Sequence, residues 1–323
     1  EVHDAPKYHE SVRVFEVRSA DAKNQVVTYL CIDAYARPGQ KSNNNFVANF
    51  QPSQIVGRDA KSIRPGVTFM RLTWGEYEQR QQLFLDRDML RVTFHEFGHA
   101  LHAVFASTKK PGQSGMSAGL EFLEVPSTTL EHLVKVPEVL VQLSGKDANQ
   151  SKRLSLDEAK QMATTKTSFS LTDSLFFNPL FHLDRLMLTA LDLALFSEEN
   201  KDVPVRDLYH RASKEYYGIE TDPSDAFTGT FYHPIVGYTG KYWTYVWAGV
   251  AASNVAAKIE ELGGFNNKEA LKQFKKNILV PGAEVPTKQR LENFLGGPVR
   301  PEPVLKHLGL QPDSPASQNT TEE

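Results

Sequence analysis

The chain has 323 residues, with 36 Lys+Arg against 39 Asp+Glu for a net charge of -3, and its 40% hydrophobic and 23% charged content is ordinary for a globular protein. That length suits one large domain or two ordinary ones, and the near-balanced charge leaves no electrostatic footprint for nucleic acid. There is no run of about 18 apolar residues to span a membrane, and the single cysteine, Cys31, excludes an internal disulfide framework and any multi-cysteine zinc site.

The opening "EVHDAPKYHE" is charged and lacks the apolar stretch of a secretory signal, so none is expected. "VRVFEVRS" (Val12 to Ser19) and "QVVTYLCIDAY" (Gln25 to Tyr35) are β-branched and aromatic and predict two strands. Within the second, Cys31 reads as a buried small hydrophobe rather than a catalytic thiol. "ARPGQKSNNNF" is a loop by its Pro, Gly and Asn content. "GVTFMRLTWGE" (Gly66 to Glu76) alternates as a strand with one wet face, and its Val67 to Thr73 portion is expected to pair with extended peptide.

From Asp88 the periodicity becomes helical, with Asp88 as the expected cap and Leu90, Phe94, Phe97, Leu101 and Val104 as the apolar face. "STKKPGQSGMSAG" is a loop in which Lys109 and Lys110 are simply solvated. A second helical stretch runs from about Leu120 to Gln142, broken or kinked near Pro126 and Pro137. Three further helices fall on "SLDEAKQMATTK", "SLFFNPLFHLDRLMLTALDLALFSE" and "VPVRDLYHRASKEYYG", and more follow a Gly/Tyr-rich interval to about Leu308. The fold class is therefore mostly α with a small β-sheet near the N-terminus. Residues 1–310 are expected to form the catalytic unit and 311–323 a polar, disordered tail.

The chemistry lies in "RVTFHEFGHALH". Residues four apart share a helix face, so His95 and His99 can point at one ion, with Glu96 beside the first. This is H-E-x-x-H, in which two imidazoles hold zinc and the glutamate serves as general base toward water. A His, Glu and His in so apolar a helix are costly unless paired or coordinated. The motif does not continue as in metzincins, because His102 stands where their glycine falls and Phe105 where their third histidine falls. The third ligand must then be a carboxylate, and "GLEFLEVPSTTLEHLV" offers Glu121, Glu124 and Glu131, among which spacing alone does not choose.

"FHEFGHALH", followed after a Gly-containing loop by "EFLEVPS", resembles the thimet oligopeptidase family of zinc metallopeptidases. That family includes neurolysin, oligopeptidase A, dipeptidyl carboxypeptidase and mitochondrial intermediate peptidase. "YLCIDAYARPGQK" (through Asp33, Tyr35, Arg37 and Gly39) and "FYHPIVGYTGKYWTYVW" resemble two further family segments in the right order. The resemblance implies a zincin-like, neurolysin-like fold with one zinc ion per chain, held by His95, His99 and Glu124, with Glu121 in the place of a family aspartate. It implies short peptides as substrates and metalloendopeptidase activity, with Glu96 as base. Tyr238 and Tyr245 would be donors to the developing oxyanion, supported by His233, with Gly237 and Tyr242 contacting substrate. Taken alone, the Tyr-rich segment reads as an aromatic helix face. Gly237 and Gly240 are expected to let it move onto substrate.

Other histidines have humbler expectations. His102 packs behind the ligands, and His132, His182 and His210 are ordinary surface or core residues; Glu131 either orients a ligand imidazole or joins a charged helix face. The chain departs from the family at Thr128, Tyr232, Val236, Trp243 and "KSNNNF", which bears on substrate preference. Family members are longer, so the match covers their catalytic C-terminal half, and the N-terminal wall of the family's channel is expected to lie outside this sequence. Two other readings are a zinc-containing peptide-binding protein impaired in catalysis and a peptidase trimming mitochondrial presequences. The expected compartment is the cytoplasm, or the mitochondrial matrix under the last reading.

Overall fold

The computed structural model describes residues 1–19, 24–56, 62–81, 83–106, 108–145, 153–164, 179–222, 224–225, 227–231, 237–308 and 310. The tail expected to be disordered lies outside them, as do His233, Tyr232 and Val236. The β-branched N-terminal runs form β1 (Arg13–Arg18) and β2 (Val26–Ala36), paired antiparallel. Next come β3 (Phe46–Gln51), the short hairpin of β4 (Gln54–Val56) and β5 (Ser62–Arg64), and β6 (Gly66–Glu76). The four-stranded sheet has the order β1-β2-β6-β3, with β6 parallel to β2 and antiparallel to β3.

That order corrects one expectation. β6 lies inside the sheet and spends both edges on β2 and β3, so it cannot add a peptide strand; β3 is the edge strand on that side. Sequence reading left β3 unassigned because its "FVANFQ" follows an Asn-rich loop. Cys31 is half-buried rather than buried, and burial raises its thiol pKa.

The resembling segment Asp33–Gly39 forms a knot on the sheet, away from the site described below. Asp33 accepts two hydrogen bonds from Arg37 and one from the Tyr8 hydroxyl at 2.6 Å, while Lys41 Nζ donates to the carbonyls of Asp33, Tyr35 and Leu72. Burial alone would raise the Asp33 carboxyl, but these donors outweigh it and hold its pKa down to about 2.

The helices are α1 (Arg87–Phe105), α2 (Leu120–Glu131), α3 (Pro137–Leu143), α4 (Leu156–Thr164), α5 (Pro179–Leu195), α6 (Val205–Tyr217), α7 (Phe227–Thr230), α8 (Trp243–Glu261), α9 (Lys268–Phe274), α10 (Thr287–Leu295) and α11 (Glu302–His307). The cap of α1 is Asp86, not Asp88: the Asp86 carboxylate accepts from the Met89 amide, and Asp88 sits in the first turn bonded to Arg91. α2 is not broken at Pro126, which it carries inside at the loss of one helical hydrogen bond. It tightens to a 3-10 turn over His132–Lys135 before Pro137 opens α3.

α1 is wedged between two cores. Phe97 and Ala100 pack with Leu30, Ala34, Met70 and Leu72 of the sheet. Leu101 and Phe105 face the helical core of Phe122, Val125, Val255, Ile259, Ile278 and Phe294. α8, rich in Ala and buried along much of its length, is the centre of that core and packs against α2. A third cluster joins α5 and α6 to Phe231 and Tyr242 at the foot of α8. The remaining face of α1, with His95, Glu96 and His99, turns toward α2.

Candidate active site

The close approach of α1 to α2 depends on a missing side chain. A methyl group on Gly98 would lie 2.5 Å from Ser127 Cα and 2.7 Å from the Pro126 carbonyl oxygen, so only glycine allows this crossing. The crossing sets Glu124 opposite both imidazoles. Glu124 Oε2 lies 3.3 Å from His95 Nε2 and 3.2 Å from His99 Nε2, and the two rings stand nearly perpendicular with centroids 4.9 Å apart. Ser127 holds the carboxylate in place, its hydroxyl donating to the Glu124 carbonyl at 2.9 Å and to Oε2 at 3.1 Å.

Two ligand atoms on a tetrahedral zinc ion stand about 3.4 Å apart, given metal–ligand distances near 2.1 Å. Both nitrogen-to-oxygen distances suit such an ion, all three ligand atoms lie within 4.8 Å of one another, and these residues are the group of metal-ligating type among the described residues. Two nitrogens and one carboxylate oxygen, with the cavity side open, are a zinc donor set that leaves room for a further ligand.

The three carboxylates left open by spacing occupy three different places. Glu124 joins the imidazoles. Glu131 Oε1 accepts from His95 Nδ1 at 2.6 Å, turning His95 Nε2 toward Glu124, while Glu131 Oε2 accepts from Arg91 at 2.9 Å. Glu121 accepts from Thr287 Oγ1 at 3.1 Å, facing α10 and away from the group.

Electrostatics follow from this packing. Burial alone would lower the His95 pKa, but Glu124 and Glu131 outweigh it and raise it. Burial would raise Glu124, yet His99 and His95 bring it well below the usual carboxylate range. Glu96 is different. It is 6% exposed, its Oε2 has no hydrogen-bond partner, and burial raises its pKa against the pull of the two imidazoles. A buried carboxylate with an idle oxygen beside a metal-ligating group is suited to take up a proton.

These residues line a cavity of about 590 Å³, walled by Asn44, Asn45, Phe46 and Val47 at the start of β3 and by Arg185, Tyr238 and Tyr245 on the far side. The rings of Tyr238 and Tyr245 stack at 5.1 Å. Burial first, then the Glu124 charge, push the Tyr245 phenol pKa far up, so it stays a proton donor. Gly237 sits at φ 125°, a conformation that favours glycine. Tyr242 does not line the cavity: it is 2% exposed, and its hydroxyl accepts from Arg185.

Sequence reading missed three contributors. The Arg185 guanidinium lies 4.9 Å from the Tyr245 ring centroid and 5.4 Å from that of Tyr242. His182, read as an ordinary residue, lines the cavity. Asp192, fully buried on α5, anchors the Tyr-rich segment by accepting from the amides of Gly240 at 3.0 Å and Tyr242 at 2.9 Å. These contacts span about 50 residues or more and have no local signal. His102 packs on Phe122 with Arg290 Nη2 at 3.5 Å from its Nε2, and burial together with that cation keeps it neutral.

The fold and site together are those of a zincin-like protein: a small sheet beside an H-E-x-x-H helix, with a glutamate on the following helix completing the metal-ligating group. The chain belongs to peptidase family M3, whose model matches residues 1–310. It is 26% identical over 311 residues to a thimet-like oligopeptidase of Dictyostelium discoideum, covering 94% of this chain and 44% of that one. To oligopeptidase A of Escherichia coli it is 26% identical, covering 95% and 44%, and to the dipeptidyl carboxypeptidase of that organism 27%, covering 95% and 43%. The chain thus spans less than half the length of these relatives. Among solved structures the fold is similar to Pyrococcus furiosus carboxypeptidase (TM-score 0.54, 17% identity, 87% of this chain and 53% of that one) and to PZ peptidase A (TM-score 0.52, 15% identity, 86% and 42%). Among the described residues no helix is long and apolar enough to cross a membrane.

Proposed function

We propose that this chain is a zinc metallopeptidase that hydrolyses peptide bonds in short peptides. The observation that carries the reading is the convergence of His95 and His99 on Glu124 Oε2, with the idle Glu96 oxygen in the same cavity. His95, His99 and Glu124 would hold one zinc ion, which would supply Lewis acidity toward water and the scissile carbonyl. Glu96 takes the proton of the attacking water and passes it to the leaving amine nitrogen. The Tyr238 and Tyr245 hydroxyls donate to the carbonyl oxygen as negative charge develops there, with His233 in support. Tyr242 contributes by holding Arg185 under Tyr245. The edge of β3 that is unpaired among the described residues, next to Asn45 and Phe46 in the cavity wall, gives extended peptide a main-chain partner, the role β6 cannot take.

The names of the relatives, oligopeptidases and a dipeptidyl carboxypeptidase, agree with short peptides as substrates. The relatives include a probable cytosolic oligopeptidase A and a chloroplastic/mitochondrial organellar one, both of Arabidopsis thaliana. The test is cleavage of a quenched fluorescent peptide by wild type and Glu96→Gln, both zinc-loaded. We expect the variant to lose activity by about 10³-fold with its zinc retained. Equal turnover by the two proteins would remove Glu96 as the base, and zinc binding with no turnover on any peptide would favour the peptide-binding reading.

A further inference from the structure

Arg91 stands one helical turn before His95 on α1, on the face that meets the end of α2. Its guanidinium is shared between two carboxylates: one nitrogen donates to Glu131 Oε2 at 2.9 Å, and its Nε donates to Asp88 Oδ1 at 2.9 Å. Glu131 has one oxygen on Arg91 and the other on His95 Nδ1, and its side chain is almost wholly buried. Asp88, Arg91, Glu131 and His95 therefore form one chain of hydrogen bonds running from the helix surface to a metal-ligating imidazole.

We infer that Arg91 is a positioning residue for the metal site: by fixing the plane of the Glu131 carboxylate, it fixes the ring of His95 and keeps Glu131 from turning into the metal position. The inference rests on the metal reading given above.

Two features support it. Glu131 and Arg91 both line the cavity that holds His95, His99 and Glu124, so a Glu131 side chain released from Arg91 has room to rotate toward them. The Arg91 fork is itself held from outside by Asp88, so it is preorganised at the angle Glu131 requires. Hydrogen-bond partners behind a metal ligand tune metal affinity because they remove the ligand's rotational freedom before the ion arrives.

The experiment measures zinc dissociation constants by competition with a chelating dye, for wild type, Arg91→Met and Arg91→Lys, with the melting temperature of each metal-free protein as a folding control. We expect Arg91→Met to weaken zinc binding about tenfold and Arg91→Lys to recover part of that loss, because lysine restores a donor without the two-way fork. Zinc affinity of a folded Arg91→Met protein that stays within twofold of wild type, or tightens, overturns the inference. Should Arg91→Met not fold, Asp88→Ala carries the test: it leaves Arg91 in place but removes the acceptor on its outer side, and an affinity unchanged from wild type overturns the inference in that case. A wild-type protein that binds no zinc would overturn the metal reading itself, which separates the two failures.

Discussion

Gly98 of α1 and Ser127 of α2 lie so close that a single methyl group on the glycine would overlap the serine backbone. Two functions meet at this contact. It sets the distance between the imidazoles and Glu124, and it places the Ser127 hydroxyl where it can hold the Glu124 carboxylate. Gly98→Ala is expected to cost about 1–3 kcal/mol of stability through overpacking. It should also weaken zinc binding in whatever protein still folds, because α2 can relieve the overlap only by moving Glu124 away. A urea titration and a zinc-binding isotherm on the same preparation check both; a destabilised variant with unaltered zinc affinity would show that the crossing does not set the ligand geometry.

Glu124 and Glu121 are one helical turn apart yet face different neighbours, which gives a paired test of ligand identity. Glu124→Gln should lose bound zinc after dialysis, measured by metal analysis. Glu121→Gln should keep it and lose only the Thr287 contact. Retention of zinc by Glu124→Gln would move the third ligand elsewhere.

Tyr245 carries a phenol that its surroundings hold protonated, beside Tyr238 and above Arg185. Removing the hydroxyl alone, in Tyr245→Phe, should lower kcat by about 10²-fold while zinc content and KM stay near wild type, since a donor to the oxyanion acts chiefly in the transition state. A rise in KM at unchanged kcat would instead make Tyr245 a substrate contact.

The Asp33 knot has a pH signature. Its carboxyl is held at about 2 in the folded chain, below its ordinary value of 3.8. The unfolded chain therefore binds the proton first as pH falls. The stabilisation is complete above pH 4 and is lost progressively as pH drops from 4 through 2. Near neutrality Asp33→Asn should cost about 3 kcal/mol, because it leaves Arg37 and Lys41 facing a neutral amide. Urea midpoints for wild type and variant should converge on acidification; a gap independent of pH would show that the charge of Asp33 is not what stabilises the knot.

Much of the fold and the site could be read from local pattern. Strands β1, β2 and β6 announced themselves by β-branched alternation, and the spacing of His95, Glu96 and His99 needed only helical periodicity. The choice of Glu124 over Glu121 and Glu131 came from resemblance, because all three lie on nearby turns and only the crossing at Gly98 distinguishes them. Asp86 and Asp88, two residues apart, have the same capping chemistry, so local pattern does not separate the true cap, Asp86, from its neighbour. Arg185 and Asp192 carry no readable signal, as their hydrogen-bond partners are 48 to 57 residues away in sequence, and Arg91 shows locally only its pair with Asp88, the Glu131 bond lying 40 residues on. Long-range pairs of this kind leave no periodicity.

The position of β3 has a consequence for the behaviour of the protein in solution. Its outer main-chain edge is unpaired among the described residues, and Phe50 near its end is 71% exposed. A strand edge with unpaired main-chain groups is open to the same strand of another molecule as well as to the proposed peptide. Concentrated, substrate-free protein is therefore expected to self-associate through this edge, and saturating peptide to disperse it. On the proposed reading, the same main-chain edge would serve peptide when occupied and draw molecules together when empty.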